Sequence, residues 1–261
     1  MISCGAHIDG TRWYVGNLDD QTLKFTPTSQ GVLDHSSHFY AQQSIPGKDM
    51  DELYVIGWFP GWDREWMPNF REDLRKNTGT WWNGCFTLPR RLTIGEDGHL
   101  IQTPVPALKE LRENEVRWDS PRELPAKNIL VNYDVLEEVR GSQLEIQLEL
   151  ELGNSAFCGV NVLAGEDGNG GCPIMWSGDL IQVDGIQVPL PEWNEGEPVK
   201  LRIFIDRAYV EVFVNDGRHT ISRKIKAENL AGDRVALTRI GGTATVRSFA
   251  AWNLKRINTQ P

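Results

Sequence analysis

Apolar and polar residues alternate with a period of two through most of this chain, and the clearest run is Lys200–Ile225, KLRIFIDRAYVEVFVNDGRHTISRKI. Leu201, Ile203 and Ile205 alternate with Arg202, Phe204 and Asp206, and Val210, Val212 and Val214 alternate with Tyr209, Glu211 and Phe213. That period places one apolar row on each of two strands, and β-branched residues suit a pleated surface. Asp206-Arg207-Ala208 reads as the corner between them. Asn215-Asp216-Gly217 reads as a second turn leading to a third strand, because Asp-Gly tolerates the positive φ of a hairpin. The same alternation predicts strands at Asn128–Val135, Gln143–Leu152, Phe157–Leu163, Pro173–Trp176, Arg234–Arg239 and Thr243–Leu254. Strands at this spacing, separated by turn residues, indicate an antiparallel β-sandwich over 118–261.

Residues 1–104 also read as short strands: Thr11–Asn17, Ser37–Ile45, Glu52–Phe59, Phe86–Leu88, Leu92–Ile94 and Leu100–Gln102. Turns fall at Asp19-Asp20, Pro46-Gly47-Lys48-Asp49 and Glu96-Asp97-Gly98. Pro60–Gly79 is a long polar loop, of the kind that is functional or mobile in compact domains. Between the halves, VPALKELR (Val105–Arg112) predicts a helix with Pro106 in its first turn and Leu108 and Leu111 on one face. Residues 105–117 are therefore expected to be a linking helix. The fold class is all-β.

Composition narrows the chemistry. The formal net charge of -9 argues against nucleic acid or an anionic membrane as partner, since both call for a basic surface. No apolar run approaches the length of a spanning helix, and the start shows no basic-then-apolar signal pattern. Compartment is left open. Cys4, Cys85, Cys158 and Cys172 are too scattered for a disulfide scaffold. Neither a C-x-x-C pair nor a metal-spaced His set occurs; His35 and His38, if on a strand, point to opposite faces. The loop GEDGNGG (Gly165–Gly171) is followed by no helix, so it is not a phosphate or dinucleotide loop. No cofactor is implied. Ten Trp residues are compatible with sugar binding, in which flat rings meet C–H faces, and equally with β-core packing.

Several stretches resemble glycoside hydrolase family 32, which contains invertases, levanases, inulinases and sucrose-6-phosphate hydrolases. IDRAYVEVFVNDGRH resembles the family's "DRSSVEVFVNDG" hairpin. VLDHSSHFYAQQSI (Val32–Ile45) resembles "LDxGxDFYAAQTF", VIGWFPGW (Val55–Trp62) "IGWMGNW", WWNGCFTLPRRLTI (Trp81–Ile94) "PWRGAMTLPRELSL", and HLIQTPVPALKELR (His99–Arg112) "RLxQxPVxELxxLR". The matches run in family order over nearly the whole chain.

The resemblance implies a five-bladed β-propeller followed by a β-sandwich, with a retaining mechanism in which one carboxylate attacks the fructosyl anomeric carbon while a Glu protonates the leaving oxygen. The family motifs "WMNDPNG", "RDP" and "EC" that carry these acids do not occur in this sequence, and Asp34, Asp49, Asp51 and Asp63 match none of them. Ser3-Cys4 resembles the "FSxG" strand that follows the "EC" glutamate. The expectation is therefore an incomplete propeller, its last one to two blades at 1–104, with no catalytic residue in the chain and no hydrolysis by the chain alone. About 40–45 residues per blade allow two blades here, fewer than closure needs. Open blade edges would invite self-pairing.

The partner implied for the complete enzyme is a fructose-containing saccharide, with Trp58, Trp62, Tyr40 and Phe39 as candidate sugar-contacting residues; each is also readable as blade packing, Tyr40 and Phe39 more so than the two Trp residues. His38 stands where the family has Asp, Asn83 where it has Arg, and Arg91 where it has Glu. Asp206, Arg207 and Glu211 form an apparent catalytic cluster that reads better as corner and sheet-face contacts, and His219 as a solvated turn residue. Two other readings stay open: a non-catalytic carbohydrate-binding or assembly module, and one half of a split enzyme.

Overall fold

The computed structural model describes residues 2–7, 10–47, 52–60, 84–124 and 131–257. These divide into two compact units. One comprises Met1–Pro106 together with Asp216–Ser222, and the other Ala107–Asn215 with Arg223–Pro261.

The first unit holds two antiparallel sheets. In one, β1 (Ile2–His7), β2 (Gly10–Leu18) and β3 (Phe25–Asp34) lie in sequential order. In the other, β4 (Tyr40–Pro46), β5 (Leu53–Phe59), β7 (Arg90–Ile94) and β8 (Leu100–Pro104) run in order, with β6 (Cys85–Phe86) paired to β5. Its core is Trp13, Leu33, Phe39, Val55, Leu92 and Leu100. Close packing requires glycine at two places. A Cβ on Gly31 would sit 2.6 Å from the Trp13 ring, and one on Gly57 2.7 Å from the Phe39 ring.

The second unit also holds two sheets. One carries the order β10 (Arg122–Leu124), β21 (Ala244–Leu254), β12 (Gln143–Glu151), β17 (Val199–Asp206), β18 (Tyr209–Val214), with β9 (Arg112–Arg117) also paired to β21. The other has the order β11 (Val131–Arg140), β20 (Arg234–Ile240), β13 (Phe157–Ala164), β14 (Cys172–Trp176), β15 (Leu180–Val183), β16 (Ile186–Pro189). Register explains the predicted apolar rows: Leu144, Ile146 and Leu148 face Ile205, Ile203 and Leu201, which in turn face Val210, Val212 and Val214. All nine are buried, as are Val160, Val162, Ile174, Trp176, Ile181, Val183 and Val188 of the other sheet. Two apolar faces in one unit bury each other at low cost, and this pairing is what a layered β domain requires.

Three expectations change. The predicted helix is a 3₁₀ helix, Pro106–Leu111, and residues 112–117 form strand β9 instead of continuing it. A strand at Phe25–Asp34 and a hairpin at 180–189 appear where none was predicted; Asp184 (φ 43°) and Gly185 (φ 84°) make the hairpin turn. The corner at Arg207 has φ 56°, and Asp216 and Gly217 have φ 57° and 92°, as the Asp-Gly turn leading to β19 (His219–Lys224) demands.

Candidate functional site

Two of the aromatic candidates, Tyr40 and Trp58, lie on the second sheet of the first unit. Tyr40 stands opposite Trp58 in the β4–β5 register, and Trp58 stands opposite Phe86 in the β5–β6 register. Residues paired this way project to the same face. The Tyr40 and Trp58 rings lie 5.9 Å apart at 46°, both half-buried, and Phe86 is 74% exposed. Phe86 was not among the candidates; the sign of it was an aromatic in GCFTLPR where the family pattern carries Met.

Phe39 is a correction. It is fully buried in the core, beneath Gly57, with the Arg90 guanidinium 4.4 Å from its ring centre. A side chain with no exposed surface cannot stack on a sugar, so Phe39 packs under the sheet whose other face carries Tyr40 and Trp58. Trp62, Asp49, Asp51, Asp63, Trp66, Trp81, Trp82 and Asn83 lie outside the described residues.

Below Phe39 is a buried polar network. Arg90 and Asp34 have no exposed side-chain surface and meet at 3.0 Å. Asp34 Oδ2 also accepts from Ser222 Oγ at 2.7 Å, and Oδ1 accepts from the backbone N–H groups of Ser36 and Ser222 at 3.0 and 3.1 Å. Arg90 donates further to Gln102 Oε1, Thr220 Oγ1 and Ser222 Oγ at 3.2, 3.1 and 2.7 Å. Thr220 Oγ1 donates to the Leu33 carbonyl at 2.7 Å. Burial pushes the Asp34 carboxyl up, opposed by the Arg90 charge and the Ser222 donors. With both oxygens occupied and no exposed surface, Asp34 can hold structure but cannot exchange a proton with a substrate.

Four histidines, His35, His38, His99 and His219, border this network. His35 and His38 follow β3 in a turn, so the opposite-face expectation for a strand does not apply. His219 is 8% exposed, which corrects its reading as a solvated turn residue; it is covered by residues distant in sequence. Its Nδ1 lies 3.4 Å from His35 Nε2, and its ring centre is 6.1 Å from that of His99. His99 Nε2 lies 3.1 Å from the Arg218 carbonyl, and its ring meets Trp13 edge-on at 5.1 Å. Burial, with the His219 and His99 charges, lowers His35 to about 4. Among the described residues no group of three or more His, Cys, Asp or Glu side chains could hold a metal ion.

The two acids of the apparent catalytic cluster in the hairpin do not converge. Asp206 is exposed and accepts from Gln143 Nε2 at 3.3 Å, whereas Glu211 is buried within β18. Arg91, where the family pattern has Glu, meets Glu52 at 3.4 Å. Cys158 and Cys172 are buried free thiols; burial pushes Cys158 up to about 12, which makes it unreactive.

Comparison with known proteins places these features in context. The family model described as "Glycosyl hydrolases family 32 N-terminal domain" matches residues 3–104, and that described as "Glycosyl hydrolases family 32 C terminal" matches residues 107–253. A sucrose-6-phosphate hydrolase of Escherichia coli is 32% identical over 248 residues, covering 93% of this chain and 46% of the relative. A levanase of Bacillus subtilis is 28% identical, covering 95% and 38%. Fructan 1-exohydrolase IIa from Cichorium intybus superposes with a TM-score of 0.73 at 17% identity, covering 95% of this chain and 55% of that one, a likeness of fold. The chain spans about half the length of the curated relatives it matches.

Proposed function

The chain belongs to glycoside hydrolase family 32, and from that premise we propose that it serves the hydrolysis of β-fructofuranosides such as sucrose and fructans as the C-terminal part of a retaining glycosidase. In this reading the first unit is the last one to two blades of a five-bladed propeller and the second unit is the family's β-sandwich. The observation that carries it is the ordered match of both family models to this chain, at 3–104 and then 107–253, together with a likeness that covers about 46% of a sucrose-6-phosphate hydrolase.

Retaining hydrolysis needs two carboxyl groups about 5–5.5 Å apart, one as nucleophile and one as acid. The motifs that carry them in the family do not occur in these 261 residues, so both acids are assigned to sequence outside them. Trp58 and Tyr40 are assigned to the rim of the sugar site, with Trp62 beside them in sequence. Their rings offer an apolar face to the C–H side of a furanose, and the Trp N–H offers a donor.

The test is an assay of the purified 261-residue chain on sucrose, inulin and levan. No fructose release is expected. Release at an enzymatic rate would place the reactive acids within this sequence and overturn the division of labour.

A further inference from the structure

Segment 216–222 is held in the first unit by an unusual set of bonds. The His35 N–H donates to the Thr220 carbonyl at 3.0 Å, and the Ser222 N–H donates to Asp34 Oδ1 at 3.1 Å. Thr220 and Ser222 add the hydroxyl contacts described above. At the entrance of the segment, Arg218 pairs with Asp97 at 2.6 Å, and its carbonyl faces His99 Nε2. Between these two ends sits the His35–His219 contact, nitrogen to nitrogen at 3.4 Å.

That contact limits protonation. An imidazolium has two N–H donors and no acceptor, so two protonated rings cannot share this contact; one nitrogen must keep its lone pair. Bringing two like charges this close in a buried place is costly. We infer that His35 and His219, with His99 beside them, form a pH-sensitive clasp that keeps residues 216–222 seated at neutral pH and releases them in acid.

The charged groups beside the clasp include, among the described residues, Arg218, Asp97, Asp34 and Arg90. Arg218 and Asp97 largely neutralise each other at the surface end. On the inner side the Asp34 carboxylate is turned toward Arg90 and Ser222, so it offers the imidazoles no compensating contact. A seated His35 is depressed well below the ordinary imidazole range, to about 4. The released form therefore takes up protons more readily, and seating is lost as pH falls from about 6.5 toward 4.

The test is amide hydrogen exchange of the full 261-residue chain between pH 7 and 4.5, corrected for intrinsic rates. Protection at the His35 and Ser222 amides should fall roughly 50-fold across that range, as the linkage of a group moved from about 6.5 to about 4 requires. In the double variant His35→Gln/His219→Asn, which keeps a neutral donor and acceptor, protection should change less than about threefold. An unchanged protection in the native chain overturns the clasp. So does an equal loss in the variant, which would assign the acid response to groups other than these two imidazoles. Because the readout is local protection and not turnover, it stands or falls separately from the proposed glycosidase role.

Discussion

Asp34 in the first unit and Glu145 in the second are both carboxylates without exposed surface, yet burial leaves them in opposite states. Asp34 has one cation, Arg90, itself fully buried and shared with Gln102, Thr220 and Ser222. Glu145 has two, Arg112 and Arg202, with side chains 17% and 23% exposed, and a third donor in Gln147. Desolvation raises both carboxyls. For Glu145 the Arg112 hydrogen bond and the Arg202 and Arg112 charges outweigh it, and the group ends below the usual range; for Asp34 desolvation wins. What separates them is the number of guanidinium groups per carboxylate and whether those groups keep a route to water. A cation that stays partly solvated loses less hydration than one sealed in with its partner.

The comparison breaks most visibly if one side of the sealed pair is removed. Arg90→Leu leaves the Asp34 carboxyl buried without a cation and strips donors from three more side chains. A cost of about 3–5 kcal/mol is expected, enough to lose the cooperative unfolding of the first unit in urea. Adding Asp34→Asn to the same chain should restore part of that stability, because the uncompensated charge is gone. A single variant as stable as the parent would mean that the pair contributes nothing.

Glu145→Gln tests the other side and should cost less, about 1.5–3 kcal/mol, the worth of hydrogen bonds to charged groups. The pH dependence sharpens the contrast. Glu145 is depressed in the fold, so its contribution is present above the ordinary Glu range near 4.5 and is lost as pH falls through its lowered folded value. Asp34 is raised in the fold, so its protonation adds stability as pH falls through the raised value, complete below about 3.8. Relative to the parent, Glu145→Gln should therefore recover as pH is lowered from 6 to 3.5, whereas Asp34→Asn should lose ground over the same range. Urea midpoints at four pH values decide it; slopes of the same sign would refute the distinction.

The two units also differed in how far their sequence disclosed them. The hairpin around Asp206-Arg207-Ala208 was legible because strict alternation and a turn needing positive φ are local signals. The strand at Phe25–Asp34 was not, because FTPTSQGVLD is mostly polar, interrupted by Pro27, and irregularly buried. The 180–189 hairpin is marked only by Asp184-Gly185 between two four-residue strands. At the site, Tyr40 and Trp58 were named and are neighbours across two strands. Phe39, just before β4, is packed in the core against Gly57, while Tyr40, the first residue of that strand, stays half-buried beside Trp58. His219 reads as solvated in sequence because part of its cover comes from His35, 184 residues away. Asp34 stood in a recognised segment, but nothing local showed that Arg90, Thr220 and Ser222 would close over it. Alternation and turns are read within ten residues; the partners of a buried charge are not.

The smallest effect is expected where the same charge types meet in water. Arg91 and Glu52 lie 3.4 Å apart with side chains 38% and 46% exposed, and Glu52 is also held by the Tyr54 hydroxyl. The Tyr54 hydrogen bond, ahead of Arg91, holds the Glu52 carboxyl below its usual range. Exposed pairs are screened by solvent and salt, and ordering two long side chains offsets much of the attraction. Arg91→Glu restores the residue type of the family pattern and turns the pair repulsive, yet it should lower the melting temperature by about 2 °C or less. The difference should vanish in about 0.5 M salt, where the Debye length is only a few ångströms. A larger, salt-insensitive drop would mean that Arg91 does its work through its buried stem and not its charge, and the contrast between sealed and solvated pairs would need a packing term.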